Sequence, residues 1–467
     1  MPIPPAIDLD RAAADVVWLV EEIGPRAPGS PQEQAAADGV RERLRAAGWT
    51  PQDVGMPGNQ VACRGRGSAL LLAHIDSVEG SPGAVDNAVG VATLLELART
   101  SAAPDLCLAF PVAEEVGLAG SRVLAERVSE WHPSGGLPDL VVALDLTGHG
   151  SLSMMGLGKT WGDDQLAWLT GHLDPVPDTI WPYAVYSRLL PRRERSDHAP
   201  FATLGVPAML LLGRGEGGIF PRYHQPNDTE FDAEALAATA AALESLALAT
   251  PPPPPTPSAL PNAAFVAWGH RVPSGLTWAA TIAGLAAAAH GLLRWREVPG
   301  HLLRGALALG LTALLTVPLI SRGWVPSHPA EQTAEAVMGV AATGWWWGAW
   351  LALGLGAAVA MGVRRVMGPR GSAPLAAGLM AAPLAYVDPV LALPLSVGAI
   401  LGLIHPLLAV LPAAVLLRPD ALRELTFHGL IPPTAWGLLW VLAWPALGSY
   451  TRKPPTPPRG APTASES

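Results

Sequence analysis

Glu114 and Glu115 stand side by side in LAFPVAEEVGLAGS (108–121), where an apolar run gives way to a glycine-rich turn. Glutamate is a poor turn former, and neighbouring carboxylates repel unless a cation lies close. Taken alone, the pair reads as two solvated side chains at a strand exit. Other apolar runs end in the same way. SALLLAHIDS (68–77) closes on His74 and Asp76, which on an extended chain face the same side. A carboxylate so placed can steady an imidazole that ligates a metal. PDLVVALD (138–145) ends in Asp145, and PAMLLLGRGEGGIFPRYHQPNDT (207–229) runs into a loop carrying His224. Asp86 precedes a helical pattern whose Val89, Leu94, Leu95 and Leu97 can face a sheet. On local grounds Asp86 is an N-cap. It can also point into the crevice outside the strand ends, where α/β sheets gather their ligands. Each residue has a bland explanation alone. Together they place two histidines and several carboxylates at one sheet edge, the ligand set for a pair of divalent metals.

The elements that must position these groups occupy only part of the 467 residues. Residues 1–249 alternate apolar runs, charged helices and turn signals, as an α/β domain does. TPPPPPTPSALPN follows, and 250–262 reads as a semi-rigid polyproline linker. From 263 to 450 charge thins out. The stretches 275–293, 301–321, 343–363 and 426–450, with two more within 373–417, approach the roughly 20 apolar residues of a membrane span. An all-α transmembrane domain of about six helices is therefore expected, with a tight turn at Asp388-Pro389 and a disordered tail over 451–467. The lipid bilayer is then a partner. The net charge of −9 argues against nucleic acid. Cys63 and Cys107 read as core packing residues without a disulfide. The N-terminus lacks the pattern of a signal peptide. Arginines at 294, 296 and 304, at 364, 365 and 370, and at 418 and 423 put alternate connections in the cytoplasm and the catalytic domain outside; Arg452, Lys453 and Arg459 oppose this.

In order, the chain presents HxD, D-N-x-x-G-x-A, E-E-x-G-x-x-G-S, a strand-end Asp and Y-H-x-x-x-D-T. This succession resembles the M28 family of zinc metallopeptidases, and IGPRAPGS (23–30) and SDHAPFATLGVPA (196–208) resemble further family elements. Followed by membrane spans, the layout is similar to the endoplasmic-reticulum metallopeptidase branch and its bacterial relatives. The resemblance implies a mixed central sheet flanked by helices, peptide substrates and two zinc ions. It implies one zinc on Asp86, Glu115 and His224 and the other on His74, Asp86 and Asp145, so that Asp86 bridges. It further implies Glu114 as general base to a metal-bridged hydroxide and Asp76 as the group that orients His74. Ser196, Asp197, His198 and Tyr223 are assigned to the substrate pocket. His132 and His149 read as loop residues, and His290, His405 and His428 as packing or interface residues. The expected activity is that of a membrane-bound exopeptidase of aminopeptidase type. A glutaminyl cyclase-like enzyme is one alternative; a receptor or transporter with a binding-only soluble half is the other.

Overall fold

The computed structural model describes residues 7–292, apart from 178, 180–182, 185–186, 189–193, 216–219, 255, 257–259 and 268, and also 381, 385 and 388–404. The chain divides into two compact units, one built chiefly on Met1–Thr277 and the other starting at Trp278.

The first unit opens with α1 (Leu9–Val17), capped by the Asp8 carboxylate, and passes through a wider turn at Trp18–Ile23 to α2 (Pro31–Ala46). Ser30 caps α2 by accepting from the Glu33 amide, and Pro31 suits a first turn in which no amide partner is needed. There follow β1 (Gln52–Asp53), β2 (Gln60–Cys63), β3 (Ala69–Leu72), α3 (Val89–Thr100), β4 (Leu106–Phe110), α4 (Ala119–Glu126), α5 (Val128–Trp131), β5 (Leu140–Asp145), β6 (Ser151–Met155), α6 (Asp163–His172), α7 (Ala199–Thr203), β7 (Ala208–Arg214) and α8 (Ala233–Leu248). The sheet order is β1-β2-β4-β3-β5-β7-β6. The four central strands β4, β3, β5 and β7 are mutually parallel, and β1, β2 and β6 pair antiparallel at the edges. Near-continuous apolar runs such as LCLAF and LVVALD suit central strands buried on both faces. Leu71, Leu94, Leu97, Val142, Leu144 and Leu243 share one core.

Two sequence-based expectations change here. Cys63 and Cys107 are not separate packing residues but a disulfide. The antiparallel register of β2 and β4 sets them directly opposite, with Cα atoms 4.0 Å apart. Nor does the Pro-rich stretch close the first unit. Beyond it, β8 (Phe265–Ala267) and β9 (His270–Val272) form a hairpin. Ala264 and Val266 belong to the main core, and the Arg188 guanidinium donates to Ala264 O at 3.2 Å. Trp168 Nε1 donates to Thr250 O at 2.9 Å, and the Ser274 amide to Asp163 Oδ1 at 3.0 Å. Apolar residues 263–267 gain more by joining this core than by starting a separate domain.

α9 (Ser274–Leu292) starts in the first unit and continues into the second, where α10 (Pro389–Ile404) is the other described helix. Ala287 packs with Ala399, and a Cβ on Gly284 would meet the Cα of Ser396 at 2.6 Å. Asp388 accepts from the Val390 amide at 2.9 Å, so the expected turn is the capped start of α10. Among the described residues no helix is long and apolar enough to cross a membrane. The expected span at 275–293 falls on α9, most of whose residues are Ala, Gly, Ser or Thr and contribute little transfer free energy. The other expected spans, except for α10 within 373–417, and the tail lie outside the described residues.

Candidate active site

Because β4, β3, β5 and β7 run parallel, their carboxyl ends share one edge of the sheet, and each delivers part of one cluster. β3 leads to His74 and Asp76, which are buried, and β4 leads to Glu114 and Glu115. β5 ends on Asp145 itself, and the chain after β7 brings His224. Asp86 lies before α3 in a non-helical conformation (φ −118°, ψ 80°), and the N-cap position of that helix is taken by Ala88 instead. Asn87, next to it, donates from Nδ2 to Leu144 O at 2.7 Å and so ties the Asp86 segment to the end of β5. Gly90 makes this feasible, since a Cβ there would meet Asn87 Oδ1 at 2.3 Å.

The Asp86 carboxylate faces both histidines, one through each oxygen. Oδ1 lies 3.4 Å from His74 Nε2 and Oδ2 lies 3.4 Å from His224 Nε2. His224 Nε2 is also 3.1 Å from Glu115 Oε2. Two groups, His74–Asp86–Asp145 and Asp86–Glu115–His224, each keep one ligand atom per residue within 4.8 Å of the others. These are the two sets that the sequence resemblance implies, with Asp86 common to both. A third, overlapping group joins His74, Glu114 and Glu115.

Asp76 holds His74 chiefly through its backbone. His74 Nδ1 meets the Asp76 backbone carbonyl at 3.1 Å, while the nearer carboxylate oxygen is 3.7 Å away. A carbonyl only accepts, so Nδ1 carries a proton and Nε2 is the ring atom that faces the cluster. The Asp76 carboxylate instead accepts from the Glu114 and Glu115 amides, each at 3.0 Å. It thus fixes the backbone of the glutamate pair. Glu33, at the start of α2, accepts from the neighbouring Ala113 amide at 2.9 Å. Ala113, Leu118, Leu146 and His224 all have positive φ, between 53° and 61°. Four non-glycine residues in the left-handed region, each close in sequence to a cluster member, mark backbone held against its preference.

Electrostatically the cluster is short of positive charge. Burial, reinforced by Asp86, pushes the Asp145 carboxyl up to about 8, and burial raises Glu114 well above the usual carboxylate range. Glu115 is raised by burial and by Asp86. Asp86 is lowered despite its burial, because His224 and His74 bond to it. Burial opposes the charge on His224, yet Asp86 and Glu115 raise it to about 10. Glu115 Oε1 and Asp145 Oδ1 are buried without a hydrogen-bond partner. Carboxylates and imidazoles converging with unpaired carboxylate oxygens are the donor set of a divalent transition metal, and these residues fit zinc.

Of the pocket residues assigned from sequence, Asp197 is fully buried with both carboxylate oxygens unpaired, and burial pushes it up to about 6. Its charge is felt by Glu114 and Asp145. Ser196 Oγ and His198 Nδ1 are likewise buried and unpaired, whereas His198 Nε2 pairs with Glu194 at 2.9 Å. The Tyr223 ring stacks on His224 at 3.7 Å. Arg26, Asn87 and Asp228 also touch the segments of the site. They sit inside the quoted motifs, but the sequence assigns no chemistry to them. Arg26 lies in IGPRAPGS, Asn87 follows Asp86, and Asp228 closes Y-H-x-x-x-D-T.

Residues 58–248 match the sequence model of Peptidase family M28. Aminopeptidase YwaD of Bacillus subtilis (strain 168) is 30% identical over 165 residues, covering 34% of this chain and 35% of that protein. The chain thus spans about a third of the length of this curated relative. A zinc aminopeptidase from Bacillus subtilis, BSAP, has a similar solved structure at 16% identity and a TM-score of 0.43, over 52% of this chain and 95% of that one. A Bacteroides thetaiotaomicron glutaminyl cyclase bound to N-acetylhistamine is similar at 19% identity and a TM-score of 0.43, over 53% and 99%. The stretch that matches this family model, residues 58–248, carries every candidate ligand.

Proposed function

We propose that this chain is a dizinc exopeptidase that removes residues from the free amino end of peptides. The observation that carries the reading is the pair of three-residue ligand sets sharing Asp86, with Glu114 beside them and required by neither. The match of residues 58–248 to the family model and the aminopeptidase relative support it. Zinc held by Asp86, Glu115 and His224 and by His74, Asp86 and Asp145 would polarise a peptide carbonyl and acidify water. Glu114 takes the proton of the attacking water on its carboxylate and passes it to the departing nitrogen. Its raised proton affinity suits that exchange, because the group must both gain and give up a proton near neutral pH. Asp76 keeps Glu114 and Glu115 at a fixed offset through their amides, so one reaches water while the other reaches metal. Tyr223 and the Ser196–His198 segment line the space that receives the peptide.

The peptidase unit is held at a membrane by apolar stretches after residue 300 and faces an oxidising, extracytoplasmic compartment. Composition supports the anchoring, arginine placement the orientation, and the Cys63–Cys107 bond the compartment. A reporter fused at Met1 that is active only in the cytoplasm should stay dark; a bright one sinks the orientation.

The activity is tested with the purified chain and peptides that are free, N-blocked or headed by glutamine. Stepwise release from free amino ends, lost to a chelator and restored by zinc, is the expected result. Release from the carboxyl end, or ring closure of N-terminal glutamine in place of hydrolysis, overturns the reading.

A further inference from the structure

The short segment 82–86 carries the one carboxylate that faces both histidines, yet it belongs to neither a regular helix nor a strand at Asp86. Its backbone is gripped from two sides. On one side Arg26, which is fully buried, donates to Pro82 O at 2.7 Å, to Gly83 O at 3.2 Å and to Ile75 O at 2.8 Å. On the other side residue 228 takes three consecutive amides. Ala84 N donates to Asp228 O at 3.0 Å, Val85 N to Asp228 Oδ1 at 3.0 Å and Asp86 N to Asp228 Oδ2 at 3.2 Å. Carbonyls 82 and 83 and amides 84–86 are therefore all engaged, and the segment has little freedom left.

Asp228 does not come from a distant scaffold. It lies four residues after His224, in the same loop, and the Gln225 carbonyl accepts from its amide at 3.1 Å. One loop thus supplies a candidate ligand through His224 and, through Asp228, clamps the segment that supplies Asp86. A hydroxyl or amide side chain could not do the same, because only a carboxylate offers acceptors to two adjacent amides without presenting a donor to either.

We propose that Asp228 is a positioning residue that locks Asp86 in its bridging orientation and makes retention of the two zinc ions interdependent. The proposal rests on the dizinc reading above. With Asp228 in place, Asp86 keeps one oxygen towards each histidine, and displacing the His224 loop also loosens Asp86 from His74. Without it, the 84–86 backbone can turn and both ions lose a ligand together. Arg26 supports the same segment from the opposite face by donating to the carbonyls of Pro82 and Gly83.

The test is zinc release from the purified full-length chain to a colorimetric chelator, with zinc content per chain measured first. Asp228→Asn keeps the shape but sets an amide donor against a backbone N–H. It is expected to release both ions faster in one phase, with retention weakened about 10–100-fold, the usual range for a partner of a metal ligand. Asp232→Asn removes the same charge from the exposed cap of α8, where the carboxylate accepts from Glu234 N at 2.8 Å. That variant should release zinc as the wild type does. Should Asp228→Asn not fold, Arg26→Lys probes the same segment, with faster joint release again expected. Wild-type release kinetics in whichever of these two variants folds overturns the positioning role, as does loss of one ion alone. A wild-type chain that binds no zinc overturns the dizinc reading itself, and this proposal with it.

Discussion

β4 has two different neighbours. On one side it pairs antiparallel with β2, and the Cys63–Cys107 bond joins the two strands. On the other it pairs parallel with β3 and runs in step with it to the edge where His74, Glu114 and Glu115 emerge. The antiparallel side ends in a covalent staple and contributes nothing to the cluster. The parallel side carries no staple and contributes the chemistry. The reason is directional. Parallel strands all finish at the same edge, so one residue from each strand end can converge on a point. An antiparallel strand reaches that edge with its beginning. Gln60, at the start of β2, sits opposite Phe110 at the end of β4, and its amide is spent on Ala37 O, a structural contact. Stability and activity should therefore separate along this one strand.

The largest effect is expected on the parallel side. Glu114→Gln should lower turnover ~10²–10⁴-fold, as loss of a general base does, with zinc content unchanged. Glu115→Ala should lose zinc as well as activity. Metal analysis with the two outcomes exchanged would mean that the assignments of the adjacent glutamates are reversed. Replacing both Cys63 and Cys107 by serine should cost about 2–4 kcal/mol of stability. It should leave the turnover of the folded protein alone, as read by denaturant unfolding beside a peptide assay. A large drop in turnover at unchanged zinc content would show that the two sides of β4 are not independent.

A smaller effect separates the metal-free from the loaded protein by pH. Asp145 sits at about 8 in the fold against an ordinary 3.8, so the native state keeps a proton that the unfolded chain releases. Stability from this group is then lost as pH rises from about 4 to about 8. His224, raised from 6.5 to about 10, acts in the same direction: its contribution is complete below 6.5 and disappears as pH rises through its folded value. Chelator-treated protein should therefore unfold at lower temperature as pH rises from about 5 to about 8. Zinc binding expels those protons, so the loaded protein should not share the decline and should weaken in acid instead. Parallel melting curves for the two forms would show that these groups hold no metal.

Much of this site is legible in the sequence, for a physical reason. A buried parallel strand is a short, nearly uninterrupted apolar run, and a histidine or carboxylate at its end has few structural excuses. SALLLAHIDS and PDLVVALD announce themselves in this way. The edges are less legible. β1 is two exposed residues, Gln52 and Asp53, with no periodicity to detect. The disulfide depends on register across 44 residues of intervening chain, which no spacing reveals. The hairpin after the prolines hides because proline runs usually mark boundaries, and tertiary packing of Ala264 and Val266 overrides that signal. His74 and Asp76 illustrate a finer limit. Their spacing fixes which side of the strand they share, but not whether an imidazole meets a carboxylate or the carbonyl of the same residue.

Glu33 gives α2 a meaning beyond packing. Its carboxylate joins the Gly29 amide, at 2.6 Å, to the Ala113 amide, at 2.9 Å, immediately ahead of the glutamate pair. Arg26 reaches the same neighbourhood from the turn before α2. Both residues precede position 58, where the family match begins. The smallest self-sufficient catalyst that could be cut from this chain is thus larger than its homologous segment. An excised 58–248 fragment would leave the Ala113 amide and the carbonyls of Ile75 and Pro82 without these partners, and the catalytic edge would form only if the first helices were supplied as a separate peptide.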